Sequence, residues 1–94
     1  MSIDENTLYP LNGIRSILEK LPHVEALGLT AIELNRGSCL FQVEYAPHLV
    51  GNLETGVLHG GVITTLMDSA GGAAAFSVVP VGASIATLDL RIDY

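Results

Sequence analysis

The chain has 94 residues, room for one small domain, and 49% of them are apolar, enough for a packed core instead of a disordered coil. Ten acidic residues against four basic ones (Arg15, Lys20, Arg36 and Arg91) give a net charge of −6. With no cluster of cations to displace counterions, nucleic-acid binding is excluded, and an anionic membrane surface is disfavoured for the same reason.

The first residues, Met1-Ser2-Ile3-Asp4-Glu5-Asn6, lack the basic-then-apolar order of a signal peptide. A helix is predicted over 10–21. Pro10 suits its first position, Leu11, Ile14, Ile17, Leu18 and Leu21 recur at helical spacing, and Pro22 stops it. Two strands follow, 29–35 and 39–46, paired antiparallel around Arg36-Gly37. The second alternates, with Cys39, Phe41, Val43 and Tyr45 on one face. Cys39, the lone cysteine, excludes an internal disulfide and suits a reducing compartment; its apolar, strand-like setting predicts a buried, inert thiol.

Residues 47–58 form a loop rich in turn formers. A long helix is then predicted over 60–79, ended by Pro80 and Gly82. One broad face carries Val62, Ile63, Leu66, Met67, Ala70, Ala73, Ala74 and Val78. Asp68 lies roughly opposite, among Gly61, Thr64, Gly72 and Ala75, small residues that invite close approach by another backbone. Residues 83–94 are the clearest strand, with Ala86, Leu88, Leu90, Ile92 and Tyr94 on one side. Neither 55–68 nor 69–88 is apolar enough to read as a membrane span, and the chain reads as soluble and cytoplasmic.

The most informative motif is His59-Gly60-Gly61 at the start of the long helix, with Asp68 further along it. A helix start presents backbone N–H groups suited to an anion or oxyanion, and a carboxylate supplies a base or a nucleophile for attack on a carbonyl. The three histidines and Asp68 lack metal-ligand spacing, His23 and His48 falling in unrelated loops. No glycine-rich phosphate loop or Ser-His-Asp arrangement is visible.

Residues 56–62, Gly-Val-Leu-His-Gly-Gly-Val, then Asp68 and the segment 85–94, resemble the hotdog-fold acyl-CoA thioesterases. They look most similar to the phenylacetate-degradation branch of the 4-hydroxybenzoyl-CoA thioesterase superfamily. The resemblance covers roughly residues 31–94. It implies an α+β fold, an antiparallel β-sheet wrapped around one long central α-helix, here a single domain over 1–94. Further strands would follow Tyr94, so the chain is expected to be incomplete at that end. It implies a homodimer or homotetramer; no cofactor and no metal are expected.

In that family Gly60 matches the glycine whose N–H holds the thioester oxygen, and Asp68 matches the catalytic carboxylate. Eight residues of helix span ~12 Å, so an oxygen held at Gly60 is out of reach of Asp68 on the same chain. The acid is therefore expected from a second subunit, across a dimer interface. Asp68 could attack directly or activate water. Asn52 resembles the asparagine that positions the nucleophile, although it reads equally as a turn former, seven residues before His59 where six is commoner. Thr87 falls where relatives place a hydroxyl that binds the attacking water, and it reads equally as an ordinary strand threonine. His59 and Gly61 are assigned to support of the helix start.

The resulting expectation is an acyl-CoA thioesterase acting on an aryl or medium-chain acyl group. The alternative is a hotdog module that binds acyl-CoA without hydrolysis, which would have no need of a carboxylate at Asp68. A dehydratase acting on carrier-protein thioesters fits less well, because His59 sits at the helix start.

Overall fold

A computed structural model describes residues 4–93. The predicted first helix is present as α1 (Leu11–Lys20), with Pro10 at the cap position just outside it (φ −58°, ψ 137°). Ile14 is its fully buried residue, while Ile17 turns outward and is 56% exposed. Pro22 does end this helix, but it also opens a second, α2 (Pro22–Leu27), which places His23 on a helix and not in a loop. A proline fits a first helical turn because its missing N–H has no intrahelical partner there. Gly28 closes α2 in the left-handed region, φ +70°.

The hairpin follows as β1 (Leu29–Asn35) and β2 (Ser38–Val43), joined through Arg36 and Gly37. The second strand is shorter than the predicted 39–46, and Tyr45, expected on one face with Cys39, Phe41 and Val43, lies past its end and is 62% exposed. The register runs from Leu29 opposite Val43 to Asn35 opposite Ser38, with an irregularity between Ala31 and Glu33. That bulge moves the buried face from Leu29 and Ala31 to Leu34, which strict alternation would not give. Arg15 on α1 donates to the Ala31 carbonyl at this point.

After a short 3-10 turn, Pro47–Leu49, the chain reaches the long helix α3 (Gly60–Phe76). It ends three residues short of the predicted 79: Ser77 is its C-cap, and the chain turns before Pro80. Phe41 and Leu34 of the hairpin, Ile14 of α1, Val24 of α2 and Ala73 of α3 join in one core, with Leu66, Ala70 and Phe76 partly buried against it. A hairpin laid against one long helix is thus in place, as the resemblance implied.

The far end of α3 is tied to the rest by polar contacts. Ser77, 0% exposed, accepts from the Gly37 N–H at 2.8 Å and donates to the Ala74 carbonyl at 2.7 Å. Arg36 donates to the carbonyls of Tyr9 and Ser77, both at 2.8 Å, and forms an ion pair with Glu5 at 2.8 Å. Tyr9 stacks on Phe76, ring centroids 4.7 Å apart.

The segment predicted as the clearest strand is not one. Residues 83–93 form no strand, and Tyr94 lies outside the described residues. A strand is defined by a neighbour that takes its N–H and C=O groups, and no described strand lies beside this segment. Instead Ile85 to Leu90 run past the small-residue side of α3, with Leu88 fully exposed. The sheet therefore has two described strands instead of three.

Candidate functional site

The start of α3 is built by its own N-cap. His59 sits in extended backbone (φ −61°, ψ 136°), and its Nδ1 accepts from the Gly61 N–H at 2.8 Å. Its carbonyl takes the Val62 N–H at 3.0 Å. Because Nδ1 is the acceptor, the proton of the neutral ring sits on Nε2, which makes that nitrogen a hydrogen-bond donor. The ring is therefore held in one tautomer by the backbone it caps.

The preceding loop fixes His59 in turn. Its N–H donates to the Leu49 carbonyl at 2.8 Å, and Val50 and Leu58 form an isolated antiparallel bridge. Gly51 lies so close that a Cβ there would be 2.6 Å from the His59 Cα, so glycine is required by contact. Asn52 belongs to the same loop. Its Oδ1 accepts from the N–H groups of Glu54 and Thr55 at 3.0 and 3.3 Å, a side-chain-closed turn.

Asp68 lies farther along α3, ~12 Å from Gly60 at the helical rise. It is exposed, and its Oδ1 accepts from the Thr87 hydroxyl at 2.6 Å. Among the described residues it forms no ion pair. The carboxylate borders a cleft of about 540 Å³ between Met67, Gly71, Gly72 and Ala75 of α3 and the segment from Ile85 to Leu90. A second hollow of about 270 Å³, against Leu18, Leu21 and Phe76, meets the first at Asp68. The small side chains of this helix face let residues 85–90 come near; Ile85 Cδ1 would be 4.0 Å from a Cβ on Gly72.

The structure thus sorts the six residues into two groups. His59, Gly60 and Gly61 form the head of α3, with Asn52 in the loop behind them. Asp68 and Thr87 meet in a second place. What the sequence did not disclose is the company His59 keeps. His23 of α2 and His48 of the 3-10 turn line one cavity with it, of about 360 Å³, over Leu27, Leu49 and Val62. The expectation that these histidines lie in unrelated loops is corrected: α2, the turn and the head of α3 pack around the same space. The only trace in the sequence was Pro22 opening a second helix.

His23 Nε2 lies 3.2 Å from the Thr65 hydroxyl, which itself donates to the Gly61 carbonyl at 2.8 Å, so His23 is the donor of that pair. Among the described residues no group of three or more His, Cys, Asp or Glu side chains is placed to hold a metal ion. Cys39 is half-buried, and burial pushes its thiol above its ordinary range, with Arg15 offsetting part of the rise. No helix among the described residues is long and apolar enough to cross a membrane.

Residues 55–94, which hold the helix head, Asp68 and Thr87, match the thioesterase superfamily. Over 84 residues the chain is 32% identical to a Halobacterium salinarum protein named "Putative esterase", covering 86% of this chain and 56% of that one. A crystal structure of a Pseudomonas aeruginosa protein superposes with a TM-score of 0.70 and 42% identity, over 90% of this chain and 64% of that one. The chain thus spans a little over half the length of the esterase relative. Its architecture is the α+β hotdog fold, and over residues 55–94 its sequence matches the thioesterase superfamily.

Proposed function

We propose that the protein is a cytoplasmic acyl-CoA thioesterase of the phenylacetate-degradation branch, hydrolysing an aryl or medium-chain acyl-CoA to the free acid and coenzyme A. It acts as a homodimer or homotetramer whose site combines the α3 head of one subunit with Asp68 of another. The observation that carries this reading is the Asp68–Thr87 contact: an exposed carboxylate in no ion pair among the described residues, one oxygen held by a hydroxyl at 2.6 Å, on the edge of an apolar cleft. Such a carboxylate keeps its second oxygen for water or substrate. A module that only bound acyl-CoA would gain nothing from it.

In the proposed reaction the thioester oxygen lies at the head of α3, where the helix dipole and Gly60 favour negative charge. Asp68 either adds to the carbonyl carbon or removes a proton from the water that does. The carbon–sulfur bond then breaks, the thiolate leaves as coenzyme A and takes up a proton, and the acid is released after hydrolysis. His59 orients the head through Nδ1 and offers its Nε2 proton to an acceptor on the substrate.

The test is Asp68→Asn, with thiol release followed on a panel of acyl-CoA esters. Loss of the carboxylate should lower kcat by ~10²–10⁴, the range of a positioned acid or base, with KM little changed. Undiminished hydrolysis would remove Asp68 from the mechanism.

A further inference from the structure

Asp68 stands where two hollows meet, and Gly72 and Ile85 border both of them. The smaller, of about 270 Å³, lies between the end of α1 and one face of α3. Along that face Asp68 and Phe76 are ~12 Å apart at the helical rise, with Gly72 midway. The polar residues of this hollow, Asp68 and Ser69, are neighbours at one end of it. Leu18 and Leu21 of α1, with Ile85, wall the rest. Phe76, its ring stacked on Tyr9 at 4.7 Å, closes the far end. Gly72 sits inside α3, where glycine forms helix less well than alanine. Yet a Cβ there would meet only Ile85 Cδ1, at an ordinary 4.0 Å. The packing of the chain itself therefore does not call for the room left at this position.

We propose that the smaller hollow receives the acyl tail of the thioester, an uncharged hydrocarbon running from Asp68 toward Phe76, and that Gly72 and Leu21 set which tails fit. The inference rests on the hydrolase reading above and narrows its substrate class. A thioester carbonyl carbon carries three groups: the oxygen, the sulfur arm and the acyl tail. In that reading the oxygen goes to the α3 head of another subunit, which leaves two groups for the two hollows at Asp68. The larger, of about 540 Å³, is bordered by Thr87 and Asp89 as well as by apolar side chains, and suits the amide-bearing carrier arm. The smaller is apolar beyond Ser69, so a hydrocarbon gains there, while an amide would lose its partners. Size sets the length. An apolar cavity of ~150 Å³ holds benzene, so about 270 Å³ takes a tail of roughly six to eight carbons.

The experiment compares the protein with its Gly72→Leu and Leu21→Asn variants. Acetyl-, hexanoyl- and dodecanoyl-CoA report hydrolysis; the thioethers S-ethyl-CoA and S-hexyl-CoA, which cannot be hydrolysed, report binding by calorimetry. A fully buried methylene is worth about fourfold, so four added ones in an open hollow should favour the six-carbon member of each pair by about 30-fold. Dodecanoyl-CoA, too long to stop at Phe76, should gain nothing over hexanoyl-CoA. Gly72→Leu fills the hollow, and Leu21→Asn puts an amide on its wall; each should cut the six- to two-carbon ratio to about fivefold or less. Leu21 is 43% exposed and caps α2, a place asparagine suits, so this variant carries the test if Gly72→Leu does not fold. Equal binding of the two thioethers, no binding of either, a further rise to dodecanoyl-CoA, or a ratio unchanged in a folded variant would overturn the proposal. Selective S-hexyl-CoA binding that the variants abolish, without hydrolysis of any ester, would leave the hollow's assignment standing and overturn the hydrolase reading instead.

Discussion

A Cβ added to Gly61 would lie 2.9 Å from Nδ1 of His59, the atom that caps α3. Gly61→Ala therefore sets two effects of similar size against each other. Loss of a side-chain N-cap costs about 0.5–2 kcal/mol, while alanine in place of glycine in a helix returns up to about 1 kcal/mol. The melting temperature should move little, but the imidazole must turn away and release its tautomer, so kcat/KM should fall about tenfold or more, in line with a misplaced site. Parallel melts and hydrolysis assays check this, and a variant with full activity would show that the cap has no part in presenting the helix head. This pair could be read from the sequence because its members are two positions apart and need only a helix start to meet. His48 and His23 could not. No local rule brings a loop residue and a residue of another helix to the same cavity, and only the packing of α2 against α3 does so.

Arg36 shows how elements far apart in sequence are held together. Its side chain is 18% exposed and bridges the N-terminal segment, the hairpin turn and the C-terminal end of α3. Removing it would leave the Tyr9 and Ser77 carbonyls without that donor, a loss of about 1–3 kcal/mol for buried acceptors. Glu5, by contrast, is 64% exposed, and an exposed ion pair contributes at most about 1 kcal/mol. Arg36→Ala should thus lower the melting temperature by about 5–15 °C, and Glu5→Gln by a few degrees at most, both read by circular dichroism. Equal losses would mean that the ion pair, not the carbonyl clasp, does the holding. The elements themselves were legible to different degrees. The hairpin followed from alternation up to the bulge at Ala31, where register depends on the partner strand and on Arg15. α2 was hidden because Pro22 carries the signals of an end and of a beginning at once. Residues 83–93 have the pattern of a strand and no described neighbour to make them one.

For the whole molecule, the radius of gyration is 14.9 Å and the extents are 51 × 25 × 18 Å, against about 12 Å expected for a compact chain of this length. Leu88, Leu53 and Val57 stand exposed, and the cleft beside Asp68 is walled on one side by a segment without a described sheet neighbour. The two groups of site residues share a helix that keeps them ~12 Å apart, a separation no side-chain rotation closes. A site using both must take one group from each of two chains, and that requirement can be tested by complementation. Proline is tolerated at a first helical position, so Gly60→Pro removes the N–H at the helix head with little disturbance of α3. Gly60→Pro and Asp68→Ala proteins should each be inactive. When they are unfolded and refolded together in equal amounts, half of the dimers are mixed, and each mixed dimer holds one site with both groups intact. Activity should then return to about a quarter of the unaltered protein, because a two-fold interface builds two equivalent sites from reciprocal halves. Mixed dimers that form, as shown by a tag on one partner, and remain inactive would place the helix head and the acid in separate functions.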